Sequence, residues 1–424
     1  MQRLRIRGGR RLTGVVPISG AKNAALPSIA AALLSDKPLT LSNTPRLLDV
    51  DSMRDVVAHH GVKINDSGPR TIELNAESAS LAETGHSMVR RMRATALVLG
   101  PLLARFGRAR VSLPGGCSIG ARPVDLHLKA LTTMGASVSI EGGTIVADAP
   151  TGLVGARILF PTSSVGATET AMMAATLALG ETEIINAARE PEIVDLARCL
   201  TEMGAKIEGA GTHRIVVVGR QAWKPARHEI LADRIEAGSY AIAAAITAGE
   251  LELTGARLEH LSAICQALEA AGAVIQPTDR GLLIERHGPL RAVDITTEPY
   301  PGFPTDLQAQ WMALMSIADG VSIIRETVFE GRFMHVPELA RLGADITLHG
   351  TTAAVRGHGG TNGRGLHGAP VLATDLRASV CLLLAGLAAV GETFVEHVYH
   401  LDRGYETLDR KLARCGADVE RLDD

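Results

Sequence analysis

Aromatic side chains are scarce in this chain: six Phe, four Tyr and two Trp among 424 residues. Few stacking platforms of the kind that single-stranded nucleic-acid binders use can be built from so few rings. An excess of one charge is also lacking. Forty-three Lys and Arg stand against 46 Asp and Glu, a net charge of −3, so there is no basic footprint for nucleic acid, and none is expected as a partner. No apolar run approaches the ~20 residues that cross a bilayer. The longest, 24–34 and 378–390, have the length of core helices, so membrane insertion is not expected. The basic start MQRLRIRGGRRL is not followed by an apolar stretch of signal-peptide type, so export is not expected either. The cysteines are Cys117, Cys199, Cys265, Cys381 and Cys415, an odd number without close spacing. That fits a reducing compartment better than a disulfide framework, and a cytoplasmic setting is expected. The 14 histidines form no H-x-x-x-H or Cys/His ligand spacing, so no metal is expected.

Glycine, in contrast, is abundant: 44 residues, against an average of about 7% of a chain. Part of this excess is periodic. A glycine, usually a following Ala, and a β-branched residue two further on recur at Gly61, Gly135, Gly204, Gly272, Gly343 and Gly416, spaced by 68 to 74 residues. Before each comes the same order of elements. An Ala/Leu-rich helical run (24–34, 94–104, 170–179, 240–248, 307–318, 378–390) leads to a short β-branched strand (39–42, 109–113, 183–186, 250–254, 322–326, 393–397). A second, amphipathic helix follows, for instance 51–59, 192–203 and 409–415, and the recurring glycine is its left-handed C-cap. The first helix of each period is apolar on all sides, which requires burial within a group of modules. Six α/β modules of about 70 residues are too many for one core and divide as three plus three.

The stretch 221–228, with Pro225 amid scattered charge, is the best linker candidate, and two lobes joined there would leave a cleft for small molecules. Leu4 and Ile6 alternating with Arg3, Arg5 and Arg7 read as a strand with one wet face, able to pair with either lobe.

Several segments carry chemistry. Gly363-Arg364-Gly365-Leu366-His367-Gly368 fits G-x-G-x-x-G but leads into a strand at 369–373 rather than a helix, so it is not a nucleotide site. Cys117 sits in a glycine-rich loop beside Arg122, where a thiol near a cation exchanges protons or attacks an electrophile, although such a turn also holds small residues for no chemical reason. Lys22 and Asn23 open the first core helix, where unsatisfied amides favour anions. Arg332, Arg377 and Arg403 occupy similar places in consecutive repeats, and their forked guanidiniums suit carboxylate or phosphate. Asp306 starts a helix, as an N-cap or as a base within reach of a substrate hydroxyl.

Taken together, the strings SGAKNAALP, MRA (92–94), PGGCSIGARPVDLH, SVGAT (164–168), AAREPEIVD, FPTDLQAQ, ETVFEGRFMHVPEL, ATDLRAS and YHLDRGYE resemble the EPSP synthase family of enolpyruvyl transferases, in its branch acting on UDP-N-acetylglucosamine. The likeness runs from Ile18 to Asp418. It implies a two-lobed inside-out α/β barrel, each lobe made of three βαβαββ units with helices inside. One lobe would be 22–230 and the other 1–21 with 231–424, closing on substrates between them. It implies transfer of the enolpyruvyl group of phosphoenolpyruvate to the sugar 3′-hydroxyl by addition and elimination, with release of phosphate, as the first committed step of peptidoglycan synthesis. No cofactor is implied, and a monomer is expected.

By matching motifs, the resemblance makes Cys117 the proton donor and a site of covalent adducts, including that of fosfomycin, and Asp306 the base. It places Lys22, Asn23, Arg122, Arg332, Arg377 and Arg403 around phosphoenolpyruvate, with Lys22 and Arg403 also taking part in catalysis. Arg93, Arg122, Pro123, Val124, Asp125, Leu126, Ser164, Val165, Gly166, Asp306 and Val328 would meet the nucleotide sugar. One departure stands out: some members carry Lys two residues before the SVGAT serine, and here that position is Thr162. The alternatives are a transferase acting on shikimate phosphate, against which the PGGC loop argues, and a non-catalytic paralogue that only binds nucleotide sugar.

Overall fold

Six helices set the architecture, because a helix that is apolar on every side must be surrounded. In chain order they are Lys22–Ala31, Leu99–Phe106, Val165–Ala175, Arg234–Ile246, Gln308–Met315 and Leu376–Ala388. The computed structural model describes residues 2–84, 93–113 (Arg93 by its backbone only), 124–359 and 365–423. These form two compact units, 20–231 and 2–19 with 232–423, each with its own hydrophobic core built on three of the six helices. In Gln308–Met315 every residue is buried, as are twelve of the thirteen in Arg234–Ile246. Each fully buried Leu or Ile contributes about 1.5–3 kcal/mol relative to exposure.

Sheets cover these helices, and each repeats one pattern. In the third module Arg157–Leu159 lies parallel to Glu181–Ile185, and Arg214–Val218 and Lys206–Glu208 complete the sheet antiparallel. The order is strand, core helix, strand, outer helix, hairpin, which is the βαβαββ module. Three modules obtain a strand from elsewhere in the chain. Ala226–Glu229 pairs with Leu39–Ser42 in the first, and Thr13–Pro17 with Glu250–Thr254 in the fourth. In the sixth, Arg3–Arg7 inserts between Glu392–Glu396 and Asp418–Leu422, with Leu4 and Ile6 buried. In the second module Thr84 bridges Val111 in parallel, at the place where the first strand belongs.

Two expectations need correction. The stretch 221–228 is no linker, since it ends in the strand Ala226–Glu229 inside the sheet of the first module, and the units divide at Leu231 and Ala232 instead. Its polarity misled because buried His228 is satisfied on both nitrogens, by Asp195 at 3.1 Å and Glu202 at 3.0 Å. The third core helix begins at Val165 rather than at 170, because Ser164 caps it by accepting from Ala167 N. The six recurring glycines all have positive φ, between +87° and +119°. At Gly204 the requirement is absolute, since a Cβ would lie 2.4 Å from Ala222 O. Cys199, Cys265, Cys381 and Cys415 are free and buried. No helix among the described residues is long and apolar enough to cross a membrane.

The amino-terminal segment is held by a buried ion pair. Lys411 Nζ donates to Glu236 Oε1 at 2.7 Å and to Ser19 Oγ at 2.8 Å, while Ser19 N donates to Glu236 Oε2 at 2.6 Å. Lys411→Met strands a buried carboxylate and is expected to cost about 3–5 kcal/mol in urea unfolding. A loss below about 1 kcal/mol would put the pair on a level with exposed ones.

His228 gives a pH signature. Burial alone would lower its pKa, but the hydrogen bond and charge of Asp195, with those of Glu202, raise it above the ordinary value. A raised folded-state pKa means that the stabilisation is complete below the unfolded value of about 6.5 and fades as pH rises through the folded one. Urea unfolding between pH 6 and 9 is expected to show that slope in the wild type and a smaller one in His228→Gln.

Candidate active site

Asp306 lies in the 3-10 turn Thr305–Leu307 that precedes helix Gln308–Met315. Its carboxylate caps neither element. Instead Oδ1 accepts from Arg332 Nη2 at 2.5 Å and Oδ2 from Arg377 Nη2 at 2.8 Å. Both arginines are buried, while the aspartate side chain keeps 24% exposure. Burial by itself would push the Asp306 carboxyl up. The guanidiniums of Arg377 and Arg332 outweigh it and hold the group well below the usual carboxylate range. On Arg377 burial opposes the charged form, and Asp306 overcomes it, so the cation is reinforced. His335, buried near Arg332, is held to about 4, chiefly by burial, and stays neutral.

Each arginine has its own support. Arg377 lies in the first turn of Leu376–Ala388, where Asp375 caps the backbone N–H groups of Arg377 (2.7 Å) and Ala378 (3.0 Å). Its other guanidinium nitrogen, Nη1, donates to the Tyr405 hydroxyl at 3.0 Å. Arg332 follows the strand Val321–Arg325, in a turn organised by Glu326, which is 1% exposed. That carboxylate accepts from Thr297 Oγ1 (2.8 Å), Thr305 Oγ1 (2.9 Å), Val328 N (2.8 Å) and Phe329 N (3.0 Å). Thr305 Oγ1 in turn accepts from Arg332 Nη1 at 2.8 Å. One buried carboxylate thus sets the turn, the threonine and the arginine together. Arg403 is half-buried at the end of the short helix Tyr399–Asp402. Next to burial, its charge is the main cause that lowers the pKa of His400.

In the unit 20–231, Lys22 is the first residue of its helix, and its ammonium lies 3.0 Å from Asp49 Oδ2 of the outer helix Leu48–His59. Asn23 follows it, half-buried. Asp125 and Leu126 open Asp125–Thr133, with Val124 as N-cap, and Ser164, Val165 and Gly166 open Val165–Ala175. His127 joins these two helix starts. Its Nδ1 is 2.8 Å from Thr170 Oγ1, and a Cβ on Gly166 would lie 2.9 Å from its ring. Burial lowers the His127 pKa to about 4, so the ring is neutral. Thr162 is exposed. Cys117, Arg122, Pro123, the Arg93 side chain and residues 363 and 364 lie outside the described residues.

The structure therefore joins Asp306 with Arg332 and Arg377 in one unit, and brings Val124–Leu126 beside 164–166 in the other. Sequence reasoning missed Asp49, His127, Thr305, Glu326 and Tyr405. Four of these fall inside or directly beside motifs already noted for other residues, and single residues there carry no spacing signal of their own. Asp49 has none beyond its place in a helix start.

This fold defines a class. The crystal structure of the enolpyruvyl transferase NikO from Streptomyces tendae matches it with a TM-score of 0.85 at 26% identity, covering 99% of both chains. EPSP synthase from Acinetobacter baumannii shares the fold with a TM-score of 0.77 at 18% identity over the whole of both chains. The chain belongs to the EPSP synthase family, whose model, EPSP synthase (3-phosphoshikimate 1-carboxyvinyltransferase), matches residues 6–412. Among its relatives, UDP-N-acetylglucosamine 1-carboxyvinyltransferase 2 of Mesorhizobium japonicum is 64% identical over 422 residues, covering 100% of both chains. UDP-N-acetylglucosamine 1-carboxyvinyltransferase of Rhodospirillum centenum is 58% identical over 433 residues, covering 100% of this chain and 99% of its own.

Glu326→Ala is expected to release the turn and loosen Arg332 from Asp306. The Asp306 carboxyl, followed by carbon-13 NMR of labelled aspartate, should then titrate higher than in the wild type, because a guanidinium that holds it down is no longer fixed beside it. An unmoved titration would show that Arg332 is held without Glu326.

Proposed function

We infer that the chain transfers the enolpyruvyl group of phosphoenolpyruvate to the 3′-hydroxyl of UDP-N-acetylglucosamine and releases phosphate, the entry into peptidoglycan synthesis. The observation that carries this reading is identity over the whole chain, 64% and 58%, with relatives that bear the name of that activity. The arginine pair at Asp306 supports it, since two buried guanidiniums suit a substrate rich in anionic oxygen.

In this reading the sugar oxygen adds to the central carbon of phosphoenolpyruvate while a proton adds to the methylene carbon. Loss of phosphate and of a methyl proton then restores the double bond. Cys117 supplies the methylene proton, and Asp306 takes the proton of the sugar hydroxyl. Lys22, Asn23, Arg122, Arg332, Arg377 and Arg403 bind and neutralise phosphoenolpyruvate. Arg93, Arg122, Pro123, Val124, Asp125, Leu126, Ser164, Val165, Gly166 and Val328 hold the nucleotide sugar.

Held by two arginines, Asp306 is a weak base. As those guanidiniums turn to the substrate carboxylate, Asp306 regains affinity for a proton, so substrate binding and activation of the base are one event. Residues of both units take part in the reaction, so the reading includes closure of the lobes 22–230 and 1–21 with 231–424 on the substrates. It also includes a monomer in the cytoplasm.

Phosphate release from phosphoenolpyruvate, with and without UDP-N-acetylglucosamine, tests it. Sugar-dependent release that falls by at least about a hundredfold in Cys117→Ala, the scale of a lost general acid, is expected. No release from the wild type leaves a nucleotide-sugar-binding protein, and release that survives the substitution removes the role of Cys117 alone.

A further inference from the structure

Side chains from the first two turns of three central helices meet on one phenol. Tyr405 is 1% exposed. Its hydroxyl lies 2.8 Å from Ser239 Oγ of helix Arg234–Ile246, 3.3 Å from Gln310 Nε2 of Gln308–Met315 and 3.0 Å from Arg377 Nη1 of Leu376–Ala388. The Arg377 guanidinium also stands 5.6 Å from the centre of the Tyr405 ring.

The direction of each bond to the phenol follows from its partner. Guanidinium and amide nitrogens only donate, so the phenol oxygen accepts from Arg377 and Gln310. Ser239 donates its proton to Ile235 O at 2.8 Å, which leaves Ser239 Oγ to accept the Tyr405 proton. Gln310 Nε2 gives one hydrogen to the backbone oxygen of Asp306 at 2.9 Å, and its other faces the Tyr405 hydroxyl and Ser239 Oγ together, each at 3.3 Å. Burial pushes the Tyr405 pKa up, which keeps the phenol protonated as this assignment requires.

We propose that Tyr405 is the positioning residue of the Arg377 and Asp306 pair: its hydroxyl fixes the guanidinium so that Nη2 faces the carboxylate, while Gln310 fixes the turn that presents Asp306. This rests on the reading of Asp306 and Arg377 as residues of the reactive site. A single bond from Nη2 to Asp306 would let the long arginine stem pivot. Bonds from two different nitrogens, with the ring against the guanidinium, define its plane. A core-filling role alone needs only the ring, and Phe would supply that.

Tyr405→Phe is therefore the test, with Ser239→Ala beside it. In Tyr405→Phe, kcat/KM for phosphoenolpyruvate is expected to fall by at least about tenfold, the scale of one hydrogen bond lost to a charged group, while KM for the nucleotide sugar moves by less than about twofold. The Asp306 carboxyl, followed by carbon-13 NMR, should titrate higher than in the wild type. Ser239→Ala, which removes the acceptor of the phenol proton but leaves the bonds of Arg377 to the phenol and to Asp306 in place, should move both readings in the same direction by less. Unchanged kinetics and an unmoved Asp306 titration in Tyr405→Phe would overturn the proposal. So would an equal loss for both substrates with a lowered Tm and an unmoved titration. If the wild type releases no phosphate, the functional reading falls, and the Asp306 titration, which needs no turnover, decides the positioning role alone: a rise supports it and no rise overturns it.

Discussion

A helix apolar on every side cannot lie on a surface, and that constraint governs this chain. Three such helices in each unit must be covered, and the sheets of the repeated modules cover them. Past their first two turns these helices offer few polar groups. Their starts offer them. Lys22, Ser164, Gln310 and Arg377 all sit at or near a helix start, and Asp306 lies in the turn before one. Helix starts also carry the positive end of the dipole, which suits anionic ligands. The place where the core runs out is where chemistry becomes possible.

Charge taken into such a core has to be matched. Asp306 is shared by two arginines, Glu236 by Lys411 and Ser19, and His228 by two carboxylates. These groups differ in purpose. Glu236 and Lys411 tie the amino-terminal segment to its unit, and nothing is gained by separating them. At Asp306 the same matching holds the carboxyl well below the usual carboxylate range, and in the proposed reaction the group regains affinity for a proton when the cations find another anion. Glu326 and Tyr405 lie behind the arginines and turn two flexible side chains into a defined pair.

Much of this was legible in the chain itself. The six glycines announced six helix ends, and all six adopt the left-handed conformation that the pattern demands. The strands 39–42 and 250–254 were located to the residue, since leucines alternating with polar residues after an Ala/Leu run leave little choice. Where the reading failed, a polar stretch proved to be satisfied. The segment 221–228 looked like a linker because its polar character was visible and the partners of His228, Asp195 and Glu202, were not. Asp306 presented two options, cap or base, and the helix start favoured the cap. Only the positions of Arg332 and Arg377 show that the carboxylate caps nothing.

The sequence alone determined the number of modules, the order of elements within each and the residue types suited to binding anions. These follow from periodicity and from local conformational preference, which act over a few residues. Tertiary structure decided which module each lent strand completes, and which cation holds which carboxylate. Arg3–Arg7 closes a sheet formed by residues 370–422, and the hydroxyl of Tyr405 reaches Ser239, 166 residues away. Such pairings depend on where packing leaves a buried donor or acceptor to be satisfied, and no local pattern in the chain records that.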